Sequence, residues 1–171
     1  LARRGLPAAA HNLGILALDE GRLADAQAQF ERAAGAGFVT SMLVLGRLHE
    51  AGRLDPAGRP DLPLAMRWYR LAAEGGSVDA MVETGTAHYL GRGVPLDKAQ
   101  AAHWYREAAK GGDVGAQYLI AAMYETGDGV EPDLRLAAYW YAMAAAQGDE
   151  AAPGKLRELE RRMQEAATAP P

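Results

Sequence analysis

The sequence contains no cysteine, which excludes disulfides and thiolate metal centres and leaves no mark of the redox state of its compartment. Cytoplasm and periplasm both stay open. It has no apolar run approaching the roughly 20 residues of a membrane span, and no basic-then-apolar signal opens it. Positive charge is not in excess either. Eighteen Lys+Arg face 22 Asp+Glu, a formal net charge of −4, the wrong sign for a surface that coats phosphates. Neither nucleic acid nor membrane insertion is therefore expected. Serine is confined to Ser41 and Ser77, so a hydrolase would have almost no choice of hydroxyl nucleophile. The four histidines, His11, His49, His88 and His103, are not joined by a His-Glu-x-x-His or comparable ligand spacing, so no metal, cofactor or catalytic centre is expected. No alternating strand pattern competes with the helical ones.

What the sequence does have is a period. Trp68-Tyr69, Trp104-Tyr105 and Trp140-Tyr141 are copies of one dipeptide, each 36 positions from the next. Asp61, Asp97 and Asp133 recur before them, and Ala72-Ala73, Ala108-Ala109 and Ala144-Ala145 after them. Gly76, Gly112 and Gly148 close each copy. A period in this range means a solenoid of helix pairs whose core is shared between neighbours. The 49% apolar content suits such a stack. Regular recurrence also points to packing, because an active site needs one unequal constellation whereas a solenoid repeats equal ones.

In chain order, residues 1–6 read as the tail of a preceding repeat, because Gly5 stands 32 residues before Gly37 in the register of the later glycines. The chain thus reads as the C-terminal part of a longer array. Repeat one, 7–37, turns at Gly21-Arg22. Repeat two, 38–76, holds three extra residues in the Pro- and Gly-rich segment Arg53 to Pro60, expected as a surface loop. Repeats three and four, 77–112 and 113–148, are the cleanest. Ser77, Asp113 and Asp149 stand where a side chain accepts from the orphan amides of a helix start, and the glycine before each supplies a left-handed closing residue. In repeat three the first helix reads Val78 to Leu90, and Asp97 caps a second whose inward face is Ala101, Trp104, Tyr105 and Ala108. Residues 149–167 place Leu156, Leu159 and Met163 on one stripe against a charged back, as a terminal cap needs. Residues 168–171 are expected to fray.

The turns Gly91-Arg92-Gly93-Val94 and Gly127-Asp128-Gly129-Val130, with Trp-Tyr-x-x-Ala-Ala and the trailing Gly, resemble the Sel1-like repeat over roughly Thr40 to Ala152. Repeat one, through Leu13-Gly14, Gly21, Ala26, Phe30 and Ala33, is similar to the tetratricopeptide pattern. The resemblance implies an all-α, right-handed superhelical solenoid of antiparallel helix pairs with a C-terminal capping helix. Repeat two lacks the Gly-x-Gly-Val turn, His49 and His88 stand where the family usually has the tyrosine seen at Tyr124, and Ala121 replaces a glycine. Many family members staple each repeat with a cysteine pair, so here packing alone must stabilise the stack.

The family's members serve as interaction scaffolds, which implies a non-catalytic adaptor, expected to be monomeric, binding a protein or peptide in the groove lined by the first helix of each pair. Groove-facing candidates carried over from the repeat geometry are Asn12, Arg47, Glu50, Glu83, Thr86, Tyr89, Tyr118 and Glu125. The composition is similar to that of bacterial members, which often serve signalling, envelope assembly or secretion. A glycan- or cell-wall-binding envelope module is the alternative, and would need exposed aromatic platforms. Repeat four concentrates negative charge at Glu125, Asp128, Glu131, Asp133, Asp149 and Glu150, which reads as a solvated face or as a docking patch for a basic partner.

Overall fold

The computed structural model describes residues 2–168, with side chains from residue 6 onward. Nine helices and no strand occur among the described residues. The chain divides at Pro95–Leu96 into two compact units. The first holds α1 (Ala2–Asp19), α2 (Leu23–Gly35), α3 (Val39–Glu50), α4 (Leu62–Glu74) and α5 (Val78–Leu90). The second holds α6 (Lys98–Lys110), α7 (Val114–Thr126), α8 (Leu134–Ala146) and α9 (Ala152–Thr168). Within each unit every helix packs on the next in sequence. No helix among the described residues is long and apolar enough to cross a membrane.

The helix boundaries follow from capping. Asp61, Asp97, Asp113 and Asp133 accept from the amides of Leu64 (3.0 Å), Gln100 (3.0 Å), Ala116 (2.6 Å) and Leu136 (3.0 Å), and Ser77 from that of Ala80 (3.2 Å). Each satisfies a donor that has no partner inside the helix. α4 closes on Gly76 (φ 93°), after which Ser77 donates back to the Ala72 carbonyl at 3.0 Å, the left-handed stop expected of that glycine. α5 ends at Leu90 before Gly91, as its sequence pattern indicates.

Two expectations need correction. α1 runs unbroken from Ala2 through Pro7, so residues 2–6 belong to the first helix of repeat one rather than to an earlier one. Pro7, the sixth residue of the helix, lacks the amide for one i→i−4 bond, a loss that costs stability yet does not end α1. Second, the tyrosine is the deeper member of each Trp-Tyr pair, although Trp140 is itself buried at 8% exposed. Tyr69, Tyr105 and Tyr141 are 2%, 4% and 0% exposed, whereas Trp68 and Trp104 are only half-buried. The segment from Arg53 to Pro60 is the surface loop that its composition indicates, and it is ordered as a turn. The Asp55 carboxylate accepts from the Ala57 amide at 2.6 Å and from Arg59 Nε at 3.1 Å, which holds it below the usual carboxylate range. Asp61 then donates its amide to the His49 carbonyl at 2.9 Å, just as Asp133 does to Tyr124 in repeat four. The three extra residues bulge outward while the hairpin closes on the same bond. The expected frayed end, 168–171, lies outside the described residues except for Thr168, which ends α9.

The second glycine of each Gly-x-Gly-Val turn has a steric cause. A Cβ on Gly93 (φ 73°) would stand 2.7 Å from the Leu62 carbonyl oxygen, and one on Gly129 (φ 75°) 2.4 Å from that of Lys98. Leu62 and Lys98 are the first residues of α4 and α6, so each turn lies directly on the start of an earlier helix in its own unit. Gly76 has comparable φ but nothing within 4 Å of its Cβ position. Gly76→Ala should therefore cost only the left-handed strain, about 1–2 kcal/mol. Gly93→Ala adds a collision with backbone and should cost about 2–5 kcal/mol. Urea midpoints of the two variants measure the difference, and equal losses would show that the close approach is not real.

Candidate interaction surface

The contact that spaces the two helices of a pair is an aromatic ring on the second against a small residue on the first. A Cβ on Gly46 would meet the Tyr69 ring at 2.6 Å, and one on Gly14 the Phe30 ring at 2.8 Å. The deep ring leaves the tyrosine hydroxyl at the rim, where it must find a polar partner. Tyr69 donates to Glu50 at 2.6 Å, and Glu50 also pairs with Arg92 from the turn after α5. Burial, then the nearby Glu83 carboxylate, pushes the Tyr69 phenol up to about 12, with Arg47 opposing. In the second unit Tyr141 donates to Glu125 at 2.9 Å. Glu125 also accepts from Arg162 at 3.0 Å and lies 3.5 Å from Lys155, both on α9. The Tyr118 ring stands edge-on to Tyr141, centroids 5.2 Å apart.

This geometry sorts the eight sequence candidates. Asn12 and Arg47 are exposed, Arg47 reaching Asp79 at 3.0 Å. Glu83, Thr86, Tyr89 and Tyr118 are half-buried. Glu50 and Glu125 are not free groove side chains: each is held by a tyrosine hydroxyl and by a basic residue from a following element, and the Glu125 side chain is 9% exposed. Arg47, Glu50 and Glu83 gather around Tyr69 in the first unit, while Tyr118 and Glu125 meet through Tyr141 in the second. Asn12 joins neither group. The sequence reading missed Arg92, Lys155 and Arg162. A signal was present, since Tyr69 follows Glu50 by 19 residues and Tyr141 follows Glu125 by 16, differing by the three-residue insertion.

The acidic residues of repeat four have separate structural duties. Asp128 pairs with Lys98 at 2.7 Å, Asp133 caps α8, and Asp149 accepts from the Ala151 and Ala152 amides. Only Glu131 and Glu150 remain exposed, so the docking patch for a basic partner loses most of its charge. Among the described residues no group of three His, Asp or Glu side chains could hold a metal ion. His11 bonds Ser41 at 2.9 Å beside the Phe30 and Phe38 rings, and His49 is 8% exposed.

The family model of the Sel1 repeat matches residues 39–77, 78–113 and 114–149, most of the chain. The chain belongs to the Sel1 repeat family. Sel1 repeat proteins generally act as protein-interaction scaffolds and are typically non-catalytic. Among solved structures the chain resembles a protective antigen of uropathogenic Escherichia coli with an SLR fold, at 32% identity and a TM-score of 0.77 over 94% of this chain. It spans 35% of that protein's length. A Sel1 repeat protein from Oxalobacter formigenes is 39% identical over 75% of this chain and 95% of its own, with a TM-score of 0.67. Helicobacter pylori cysteine rich protein B, 18% identical over 76% of this chain and 96% of its own (TM-score 0.56), shares the fold. No curated protein sequence matches significantly. The first helix pair, α1 and α2, lies outside the matched repeats.

One prediction follows from these polar pins and a second from the buried histidines. Glu125→Ala leaves the Tyr141 hydroxyl and two cations unpaired and should cost about 2–3 kcal/mol, Tyr141→Phe about 1 kcal/mol. The double variant should lose less than the sum, because the two residues share one bond; additive losses in a denaturation cycle would show them independent. The second prediction concerns pH. Burial holds His49 and His11 below the ordinary imidazole value, with Asp61 and Glu31 pulling His49 partly back. The unfolded chain then binds protons that the folded chain refuses, so this stability is complete above pH ~6.5 and falls as pH drops below it. The melting temperature should decline from pH 7 to pH 5, and less steeply in His49→Tyr, which installs the residue found in the same slot at Tyr124.

Proposed function

We propose that this chain is a non-catalytic adaptor that binds a protein or peptide on the face carried by the first helix of each pair. Membership of the Sel1 repeat family is the observation that carries this reading. Support comes from the exposure of Asn12 and Arg47 and the partial exposure of Glu83, Thr86 and Tyr89 in the first unit and of Tyr118 in the second. Half-buried tyrosines offer apolar area and a polar tip at low cost in side-chain entropy, the mixture that dominates interface energetics. Glu50 and Glu125 contribute by fixing Tyr69 and Tyr141 beneath that face.

The glycan-binding alternative has weaker support, since none of the three tryptophans is exposed and Trp140 is 8% exposed. A role in bacterial signalling, envelope assembly or secretion belongs to the same proposal, with the chain acting as a monomer in either cytoplasm or periplasm.

The test is affinity capture with the full-length protein followed by mass spectrometry, in parallel with Arg47→Glu and Tyr89→Ala. Both variants should retain the wild-type melting curve and lose the captured partner, by about 1–2 kcal/mol or more for each anchor. Undiminished capture by both would place the partner elsewhere on the molecule, and quenching of tryptophan fluorescence by wall fragments would favour the glycan reading.

A further inference from the structure

The repeats are equal almost everywhere, and the most informative inequality lies between α4 and α5. By the 36-residue period Arg70 corresponds to Arg106, Thr84 to Ile120 and His88 to Tyr124. In the second unit this slot is filled. Tyr124 is 9% exposed, Arg106 Nε donates to its hydroxyl at 3.0 Å, and the same guanidinium lies 5.6 Å from the ring centroid. In the first unit the smaller Thr84 and His88 leave the slot open. A pocket of about 410 Å³ lies there, floored by Met66 and Val94 and bordered by Arg67, Arg70, Thr84 and His88. His88 Nδ1 is buried with no hydrogen-bond partner, a group whose desolvation is uncompensated. Arg67 has no ion-pair partner among the described residues, and Arg70 reaches only the exposed Glu74 at 3.6 Å.

The pocket therefore has the arginine that serves the ring in the second unit, but no ring. We propose that it receives a tyrosine side chain of a partner peptide flanked by acidic residues, supplying in trans what Tyr124 supplies in cis. The ring lies under Arg70, the attraction of a cation for an aromatic face. Its phenol donates to His88 Nδ1 and accepts from Arg70, and a flanking carboxylate pairs with Arg67. On a chain of net charge −4, two guanidinium groups at i and i+3 on one helix face are a local preference for acidic sequence. Thr84 and Thr86 are two positions, hence about 200°, apart around α5. The pocket thus stands apart from the groove candidates, and the proposal does not depend on a partner binding there.

The test is fluorescence anisotropy with the whole chain and fluorescein-labelled Gly-Asp-Tyr-Asp-Gly amide, against peptides with Ala or Phe in place of Tyr and with Asn in place of both Asp. The Tyr peptide should bind about tenfold or more tighter than the Ala peptide, with Phe between them, and both the Asn exchange and added salt should weaken it. Thr84→Ile with His88→Tyr installs the residues that already pack in the second unit, so it should fold with an undiminished melting temperature and lose binding. Arg67→Ala with Arg70→Ala, both exposed positions, should lose it as well without filling the pocket. Equal binding of the Ala and Tyr peptides, unchanged binding by the filled variant, or no saturable binding at millimolar peptide would each overturn the proposal.

Discussion

The fold depends on one contact repeated down the chain: an aromatic ring from the second helix of a pair pressed onto a small residue of the first. Phe30 on Gly14 and Tyr69 on Gly46 leave no space even for a methyl group, so the helix axes are as close as backbones allow. Ring burial of this kind supplies the largest single apolar contribution in each pair. The alanines flanking the rings then become a necessity, because closely approaching helices admit nothing wider. Ala65, Ala72, Ala101, Ala108, Ala137 and Ala144 are each 1% exposed or less. In repeat four Ala121 occupies the glycine's position and is fully buried, so one methyl is accommodated there by a local adjustment that Gly46 as placed does not permit.

A tyrosine rather than phenylalanine in this role creates a second layer of specificity. The ring belongs in the core and the hydroxyl does not, so each buried tyrosine needs an acceptor at the rim. Glu50 and Glu125 provide it, and a carboxylate so placed calls for a cation of its own. Arg92 answers in the first unit, Arg162 and Lys155 in the second. In both units the cation comes from the element that follows the pair. The polar pin thus joins one repeat to the next, the kind of nearest-neighbour coupling that holds a quasi-one-dimensional protein together. α9 supplies its pin from Lys155 and Arg162, which lie one turn to either side of the fully buried Leu159 on the same face, while Arg157, Glu160 and Arg161 on its back are exposed, and this is how a single helix covers the last pair and still meets water.

Much of this was legible in the sequence because period and capping are local chemistry. Val78 to Leu90 is bounded by a side chain that accepts amides and a glycine that turns left-handed, and both signals lie within a few residues of the ends they set. The depth ranking of Trp104 and Tyr105 was not legible, since adjacent residues on one helix differ in burial only through what the neighbouring helix presents. Nor could helical facing alone reveal that Glu125 is consumed. Its partners on α9 lie 30 and 37 residues away, and their meeting depends on how α9 lies across α8. The unbroken α1 was missed because the glycine register suggested a boundary at residues that simply continue a helix.

Function in such a chain has to be sought where the period fails, because whatever recurs equally is already explained by packing. Three departures stand out. The insertion after Gly52 is absorbed by the Asp55 turn without disturbing the bond from Asp61 to His49, so it changes the surface and leaves the hairpin intact. Ala121 for glycine is absorbed in the core. The histidines at the tyrosine slot are not absorbed in the same way: His49 and His88 each keep a ring nitrogen buried and unpartnered. Around His49 the turn residues Leu54, Asp55, Pro56 and Arg59 border a smaller space of about 220 Å³, whereas around His88 the space is larger and two guanidinium groups border it. The same substitution therefore borders a smaller recess lined by Asp55, Arg59 and Asp61 in one repeat and a larger one lined by Arg67 and Arg70 in the next, and the difference comes from the neighbouring side chains rather than from histidine itself.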